Sequence, residues 1–195
     1  MSDTDPVASD TEVNGEKEEK EKCLFNDKEM KLEVSCKTND DVLIPVSVSH
    51  LLQSNVFKNM YQDTNMSPTD LETFVFNVTI DSNIFLKVVE WMGEHIGKTD
   101  PVIEDDPATR QRKALAFSEY ETEFFKKINH EELASVIKAA NYLDIKSLYY
   151  CGCQAMANLI SDKTPEEIRD LFGLEDDLTE EEKADIRRRN MWCNY

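Results

Sequence analysis

The last third of the chain contains three successive signals for the start of a helix, which limit what it can fold into. In each of the segments 129–132, 164–167 and 179–182, an Asn or Thr stands three residues before a glutamate. In such a capping box, the Asn or Thr side chain accepts the N3 amide proton while the glutamate accepts from the amide of the cap residue. Pro165 occupies a first helical position, and Gly173 follows an apolar pair as a helix stop. The pattern predicts a series of short helices with defined ends, which is typical of a surface for a partner.

Three short segments in the first half of the chain have the pattern of strands: the first two alternate apolar and polar residues, and the third is rich in aromatic and branched residues. They span residues 30–36, 42–46 and 74–78. Pro45 cannot donate a hydrogen bond to a neighbouring strand, so the second segment is expected at the edge of a sheet. Strands in the first half and helices in the second predict an α+β fold, in which helices flank a small sheet.

Helical periodicity predicts two helices before the C-terminal series. Ser54 is a cap for a helix whose apolar face contains Val56, Phe57, Met60 and Tyr61. A longer helix is expected to begin near Asp81 and to end at Gly97. Its inward face is predicted to contain Ile84, Phe85, Val88, Val89, Met92 and Ile96.

Two segments lack the apolar content of a folded core. Residues 1–29 are acidic and polar, and they bury too little apolar surface to offset the entropy of ordering, so we predict a disordered tail. Residues near 98–116 contain two prolines and many charges, and we predict a flexible loop. The expected organisation is the tail, a core at 30–128, and a last core helix with C-terminal helices at 129–195.

The charge and hydropathy of the chain exclude several classes of partner. A formal net charge of −18 argues against a nucleic-acid surface, which needs clustered Lys and Arg. Residues 187–189 are three arginines, but they fall in the last turn of the predicted final helix, where cations interact favourably with the helix dipole. No apolar stretch approaches the ~20 residues that cross a bilayer, and the polar N-terminus resembles neither a signal nor a transit peptide. No nucleic-acid or membrane partner is therefore expected.

The five cysteines show no framework spacing, and reduced thiols are expected. Cys151 and Cys153 are separated by one residue, whereas a redox pair normally has two intervening residues and a zinc site needs further ligands. We interpret Cys151 as a buried thiol and Cys153 as a thiol on a neighbouring face. A thiol oxidoreductase built on this pair is the remaining enzyme hypothesis. No other catalytic constellation, metal site or cofactor is predicted.

Several blocks of the sequence resemble one known family. The C-terminal blocks are residues 139–148, 163–169, 178–182 and 190–193. In this order and spacing they resemble the C-terminal half of Skp-type adaptors (S-phase-kinase-associated adaptors), which link F-box proteins to a cullin in SCF ubiquitin ligases. Residues 46–60 resemble the opening helices of the BTB/POZ fold, to which these adaptors belong. The resemblance covers residues 30–193 and is strongest from about 129 onward.

The resemblance implies a function and a set of site residues. It implies a non-enzymatic adaptor with a BTB/POZ-type core and a C-terminal extension, acting in ubiquitin-dependent protein degradation in the cytoplasm and nucleus. It also implies that Asn141 and Tyr142 contact the cullin. The residues that it implies for F-box binding are Leu148, Tyr149, Cys153, Met156, Phe172, Leu174, Leu178, Met191 and Trp192. Without the family, these large side chains fit a small satellite core equally well.

Other interpretations remain open at the level of sequence. A BTB-type protein that self-associates, or that recruits a cullin directly as its own receptor, has a similar pattern of strands and helices. A homodimer of the free chain is also compatible with the sequence. Tyr120 stands where the family has Trp, and the first half matches more loosely, which leaves open which cullin is bound.

Overall fold

The sheet and helices form in the order that the sequence predicts. The computed structural model describes residues 25–192, so the predicted tail up to residue 24 and Cys193 lie outside the described residues. The strands are β1 (Glu33–Lys37), β2 (Leu43–Ser47) and β3 (Val75–Asn77). The helices are α1 (Val48–Leu51), α2 (Asn55–Asp63), α3 (Ser82–Glu94), α4 (Glu119–Lys126), α5 (His130–Tyr142), α6 (Lys146–Ile160), α7 (Pro165–Phe172) and α8 (Glu180–Arg189). The predicted α+β class with a helical C-terminal extension is confirmed.

The small sheet has the strand order β2-β1-β3. β1 and β2 are antiparallel, with Pro45 opposite Ser35, whereas β1 and β3 are parallel. Pro45 thus lies in an edge strand, as predicted. Val34 and Cys36 alternate with more exposed residues along β1, so one face of the sheet covers the core.

The first predicted strand begins later than its alternating pattern suggests. Glu29–Lys31 form a turn of 3₁₀ helix, and β1 begins only at Glu33. The cause is Asn26, whose side-chain oxygen accepts a hydrogen bond from the amide of Glu29 at 3.0 Å. Asn side chains offer the backbone such local partners in competition with a strand ladder.

The predicted disordered tail extends too far along the chain. Phe25 is only 2% exposed and belongs to the hydrophobic core. Its ring centroid lies 4.5 Å from that of Tyr61 on α2. A single aromatic side chain that packs into the core fixes the residues beside it, although the surrounding composition is polar. Residues 25–29 therefore belong to the folded domain.

Helix α3 lies at the centre of the helical layer and contacts α1 and α5. Trp91 on α3 is fully buried, and its indole N–H donates to the Ser147 hydroxyl on α6 at 3.2 Å. The prediction that Ile96 faces inward is wrong. α3 ends at Glu94, before this residue, and Ile96 is exposed. His95 occupies the inward position instead, with its ring stacked on the Trp91 indole at a centroid distance of 4.0 Å.

Helices α5 and α6 pack closely because of a glycine. Gly152 on α6 is buried, and a Cβ atom at this position would lie 2.8 Å from the Ile137 Cγ1 on α5. Any other residue here would require the Ile137 side chain or one of the two helices to move. The corner between them is fixed further by Ser54, whose hydroxyl donates to the carbonyl of Leu143 at 2.6 Å.

The segment predicted as a flexible loop contains an ordered hairpin. The Lys113 amide donates to the carbonyl of Glu104 at 2.9 Å, and the Lys113 ammonium pairs with the Glu104 carboxylate at 2.8 Å. The hairpin is joined to α6 by the Leu115 amide, which donates to the Gln154 side chain at 3.1 Å. From the sequence, these oppositely charged residues indicated only a polar segment. Their pairing across a hairpin was not predicted.

Glu121 connects the start of α4 with the end of α3. Its carboxylate accepts from the amide of Ser118, in a capping box, and its Oε1 lies 3.1 Å from the Nε2 of His95. Burial acts to raise the pKa of Glu121, but the hydrogen bonds from Ser118 and His95 outweigh it, so this pKa lies below its ordinary value of 4.5. A lowered pKa means that the ionised carboxylate stabilises the folded state.

We expect the variant Glu121→Gln to change how stability depends on pH. The stabilisation from Glu121 is present above its unfolded pKa and is lost as the pH falls through its folded pKa. At neutral pH the variant should lose about 1 kcal/mol of unfolding free energy, because neutral hydrogen bonds replace charge-assisted ones. Below pH 4.5 the difference from the parent protein should shrink. Urea unfolding at a series of pH values measures both effects.

Glu119→Gln is the matched control, since Glu119 is exposed in the same turn and makes no contact with His95 among the described residues. It should cost less stability at neutral pH than Glu121→Gln. Parallel pH profiles for the parent protein and Glu121→Gln would show that these contacts do not hold the carboxylate ionised.

Candidate protein-interaction site

The predicted ends of the C-terminal helices are confirmed. Asn129, Thr164 and Thr179 each accept a hydrogen bond from the amide of the glutamate three residues later, at 2.8, 3.3 and 3.3 Å. Each of these glutamates accepts in return from the amide of its cap residue. Gly173 has a φ of 62°, the left-handed conformation that ends a helix, and the next amide closes back onto α7.

One carboxylate and one aromatic contact hold these short helices in place. Asp176, in the connection between α7 and α8, pairs with the Lys183 ammonium and lies 3.9 Å from the Arg169 guanidinium. The hydrogen bond from Lys183 lowers the pKa of Asp176. The ring of Phe172 on α7 meets His130 on α5 edge to face, at a centroid distance of 5.9 Å. The extension is therefore built mainly from polar contacts.

Several large apolar side chains of the extension are exposed to solvent. Neither α7 nor α8 contains a buried residue. Met191 is 78% exposed and Trp192 is 79% exposed, and Leu174 is also exposed. These side chains do not form the satellite core that the composition alone allowed. Clustered exposed apolar residues of this size mark sites of protein interaction.

Three residues of α6 that were predicted to bind the F-box share one face of that helix. Tyr149, Cys153 and Met156 are spaced at i, i+4 and i+7, so they share one face of the helix. Cys153 is exposed, whereas Tyr149 and Met156 are half-buried. We call these residues, together with those of α7 and α8, the C-terminal surface, which comprises Tyr149, Cys153, Met156, Phe172, Leu174, Leu178, Met191 and Trp192.

Leu148 was wrongly assigned to this surface. It is completely buried and belongs to the hydrophobic core, on the face of α6 that packs against α5. A partner cannot reach it without unfolding the helix pair. Ile186 was missed by the sequence analysis, although it is the only large apolar residue within α8 and it is exposed. Its position between charged neighbours could have indicated exposure.

Asn141 and Tyr142 lie at a second exposed place, where α5 ends. Both side chains are exposed, and the Asn141 side chain makes no hydrogen bond among residues 25–192. Tyr142 lies at the edge of a cavity of about 390 Å³, whose other apolar lining comes from Ile80, Ile84 and Ala139. We call this place the α5-end surface. It combines the Asn141–Tyr142 pair with a depression that is lined by both apolar and polar side chains.

The thiols do not form a reactive pair. Burial raises the pKa of the Cys151 thiol to about 12, with a further contribution from the charge of Glu121. Cys151 is buried and points inward as predicted, while Cys153 is exposed on another face.

In the part of the chain that the structure describes, no three His, Cys, Asp or Glu side chains are grouped to hold a metal ion. Within the same residues, no helix has the length and apolar character to cross a membrane.

The fold and the two surfaces define a protein-interaction module: a small α+β core with a helical extension that exposes apolar side chains. Known sequences place it in a family. The model for the Skp1 family, dimerisation domain, matches residues 146–193, which include α6 to α8. A Skp1-related protein of Caenorhabditis elegans is 34% identical over 174 residues, covering 85% of this chain and 93% of the relative.

Fungal relatives give a consistent result. The E3 ubiquitin ligase complex SCF subunit sconC of Talaromyces stipitatus is 35% identical over 161 residues, covering 83% of this chain and 96% of the relative. The protein of the same name in Aspergillus flavus is 36% identical over 156 residues, covering 80% and 92%. The chain belongs to the Skp1 family.

Proposed function

We propose that this protein is an adaptor subunit of an SCF-type E3 ubiquitin ligase, which bridges F-box substrate receptors to a cullin scaffold. The observation that carries the proposal is the C-terminal surface, because its exposed apolar side chains lie within the segment that matches the family. The names of the fungal relatives, as SCF subunits, support it. In this proposal the F-box covers the C-terminal surface and the cullin binds the α5-end surface, in the cytoplasm and nucleus.

The mechanism of such an adaptor is positional rather than chemical. Holding two partners on one rigid body raises their effective concentration and restricts their relative orientation. Here the α5-end surface lies at the end of α5, and the C-terminal surface begins on the next helix, α6, which packs directly on α5. The chain between them is fixed by Asn55, whose amide donates to the Asp144 carboxylate at 2.9 Å. Ubiquitin transfer would then be directed to whatever the receptor binds.

A bridging experiment tests the proposal. The purified protein should bring an F-box protein and a cullin into one complex, which neither forms with the other alone. The double variant Asn141→Ala, Tyr142→Ala should lose cullin affinity by roughly tenfold or more, in the range of interface hot spots, and keep its affinity for the F-box protein. Calorimetry with each partner separately measures the two affinities.

Glu131→Ala, an exposed change in the first turn of α5, is the control and should affect neither affinity. If the double variant loses both partners and unfolds at lower urea concentration, Asn141 and Tyr142 are structural residues instead. Absence of any complex between the parent protein and F-box proteins would reject the adaptor function itself.

A second arrangement follows from the same exposed surface. We propose that the free chain forms a homodimer through the C-terminal surface, since the matching family segment is described as a dimerisation domain. Sedimentation of the free protein should then show a dimer that an F-box domain converts to a heterodimer. A dimer that persists with the F-box domain bound would support a self-associating protein.

The oxidoreductase hypothesis requires Cys151 and Cys153, so unchanged function of the double Cys→Ser variant would reject it.

A further inference from the structure

The last turn of α8 places a group of cations beside Met191 and Trp192, the most exposed large apolar side chains among residues 25–192. Residues 187–189 are three arginines, all exposed, and Met191 and Trp192 follow at once. The helix dipole favours a cation in a last turn. It does not determine which way each arginine points or what it pairs with.

The three arginines differ in their partners. Asp185 pairs with Arg189 and lies 3.9 Å from the Arg188 guanidinium. Arg187 has no ion pair within residues 25–192. Successive residues of a helix are rotated by about 100°, so Asp185 lies about 200° from Arg187 and faces away from it. Among the described residues, the charge of Arg187 is therefore uncompensated, on the opposite flank of α8 from Asp185.

This charge contrasts with its surroundings. Residues 185–192 contain three arginines and one aspartate, whereas the whole chain has a net charge of −18. The acidic first turn of α8, Glu180–Glu182, lies at the other end of the helix, about 7–10 Å from Arg187 along its axis. The end of α8 is thus a local basic patch, and it is continuous with the apolar C-terminal surface.

We propose that the F-box segment covering Met191 and Trp192 carries an aspartate or glutamate that pairs with Arg187. This inference rests on the proposed adaptor function. A carboxylate matches the planar guanidinium in a two-point contact, and the apolar cover nearby would shield that contact from water. Such pairs increase the association rate, and they disfavour partners that place a positive charge next to the arginine. The arginine would thus select among F-box proteins that share the same apolar contact.

A charge exchange tests the pairing. The probe is a recombinant F-box domain that binds the parent protein, together with variants in which each Asp or Glu of that domain is replaced singly by Lys. Arg187→Glu should weaken binding of the unmodified domain by roughly tenfold. One of the Lys variants should bind Arg187→Glu better than it binds the parent protein. High salt should reduce both effects, because it screens exposed charges.

Lys31→Glu is the control. It changes the net charge by the same amount as Arg187→Glu, but it lies in the 3₁₀ turn before β1, so no effect on affinity is expected. Urea unfolding of Arg187→Glu checks that the helix survives, and Arg187→Gln separates loss of charge from reversal. If Arg187→Glu binds as well as the parent protein, or no Lys variant restores binding, the inference is wrong and the adaptor function stands. If the parent protein binds no F-box domain, both fail.

Discussion

Replacing Trp192 by alanine should weaken F-box binding by about 2 kcal/mol or more, roughly thirtyfold in Kd, while hardly changing the stability of the free protein. The indole is 79% exposed in the unbound chain, so its truncation removes little that the folded state has buried. Large aromatic residues that become covered only in a complex are typical hot spots. Calorimetry with an F-box domain and urea unfolding of the free variant measure the two quantities.

Leu86 on α3 provides the control for this prediction. It is a large apolar side chain that is also exposed, but it lies on a different helix from the C-terminal surface. Leu86→Ala should leave F-box affinity unchanged. A Trp192→Ala protein that unfolds at much lower urea concentration, but binds normally when folded, would place Trp192 in the core and refute the assignment of this surface.

Phe25→Ala should destabilise the free protein by about 3–5 kcal/mol, the range for truncation of a buried aromatic residue. The side chain is 2% exposed and its ring packs against Tyr61, so its loss leaves a cavity beside α2. A chain that starts at residue 29 should be similarly unstable, because it also loses the Asn26 cap. Urea unfolding compares both with the parent protein.

Val102→Ala is the control. Val102 is an apolar residue near the hairpin that is 74% exposed, so its truncation should have little effect on stability. This expectation replaces the one from composition alone, by which removal of residues up to 28 would be harmless. Equal stability of the parent protein and the chain that starts at residue 29 would restore that earlier boundary.

Features that depend on neighbours in the sequence were predicted almost to the residue. The caps at Ser54, Asn129 and Thr179 need only a side chain and an amide three residues later, so the sequence contains all the required information. The edge position of Pro45 follows from its missing donor. The capping box from Ser118 to Glu121 carries the same pattern and could have been found in the same way.

Features that depend on distant parts of the chain were predicted less well. The burial of Phe25 requires the pocket beside Tyr61, and no local pattern reveals that pocket. Leu148 and Tyr149 are adjacent and both apolar, and only the packing of α5 on α6 decides which of them is buried. The exposure of Met191 and Trp192 was implied by family resemblance, because their apolar character alone favours burial equally.

The contact between Gly152 and Ile137 also sets the angle at which two bound partners would face each other. α6 has 15 residues, so its far end lies about 22 Å from the corner with α5. A side chain at position 152 that tilted α6 by about 10° would move that far end by about 4 Å. In an assembly that works by alignment, one methyl group here would redirect the substrate without touching either binding surface.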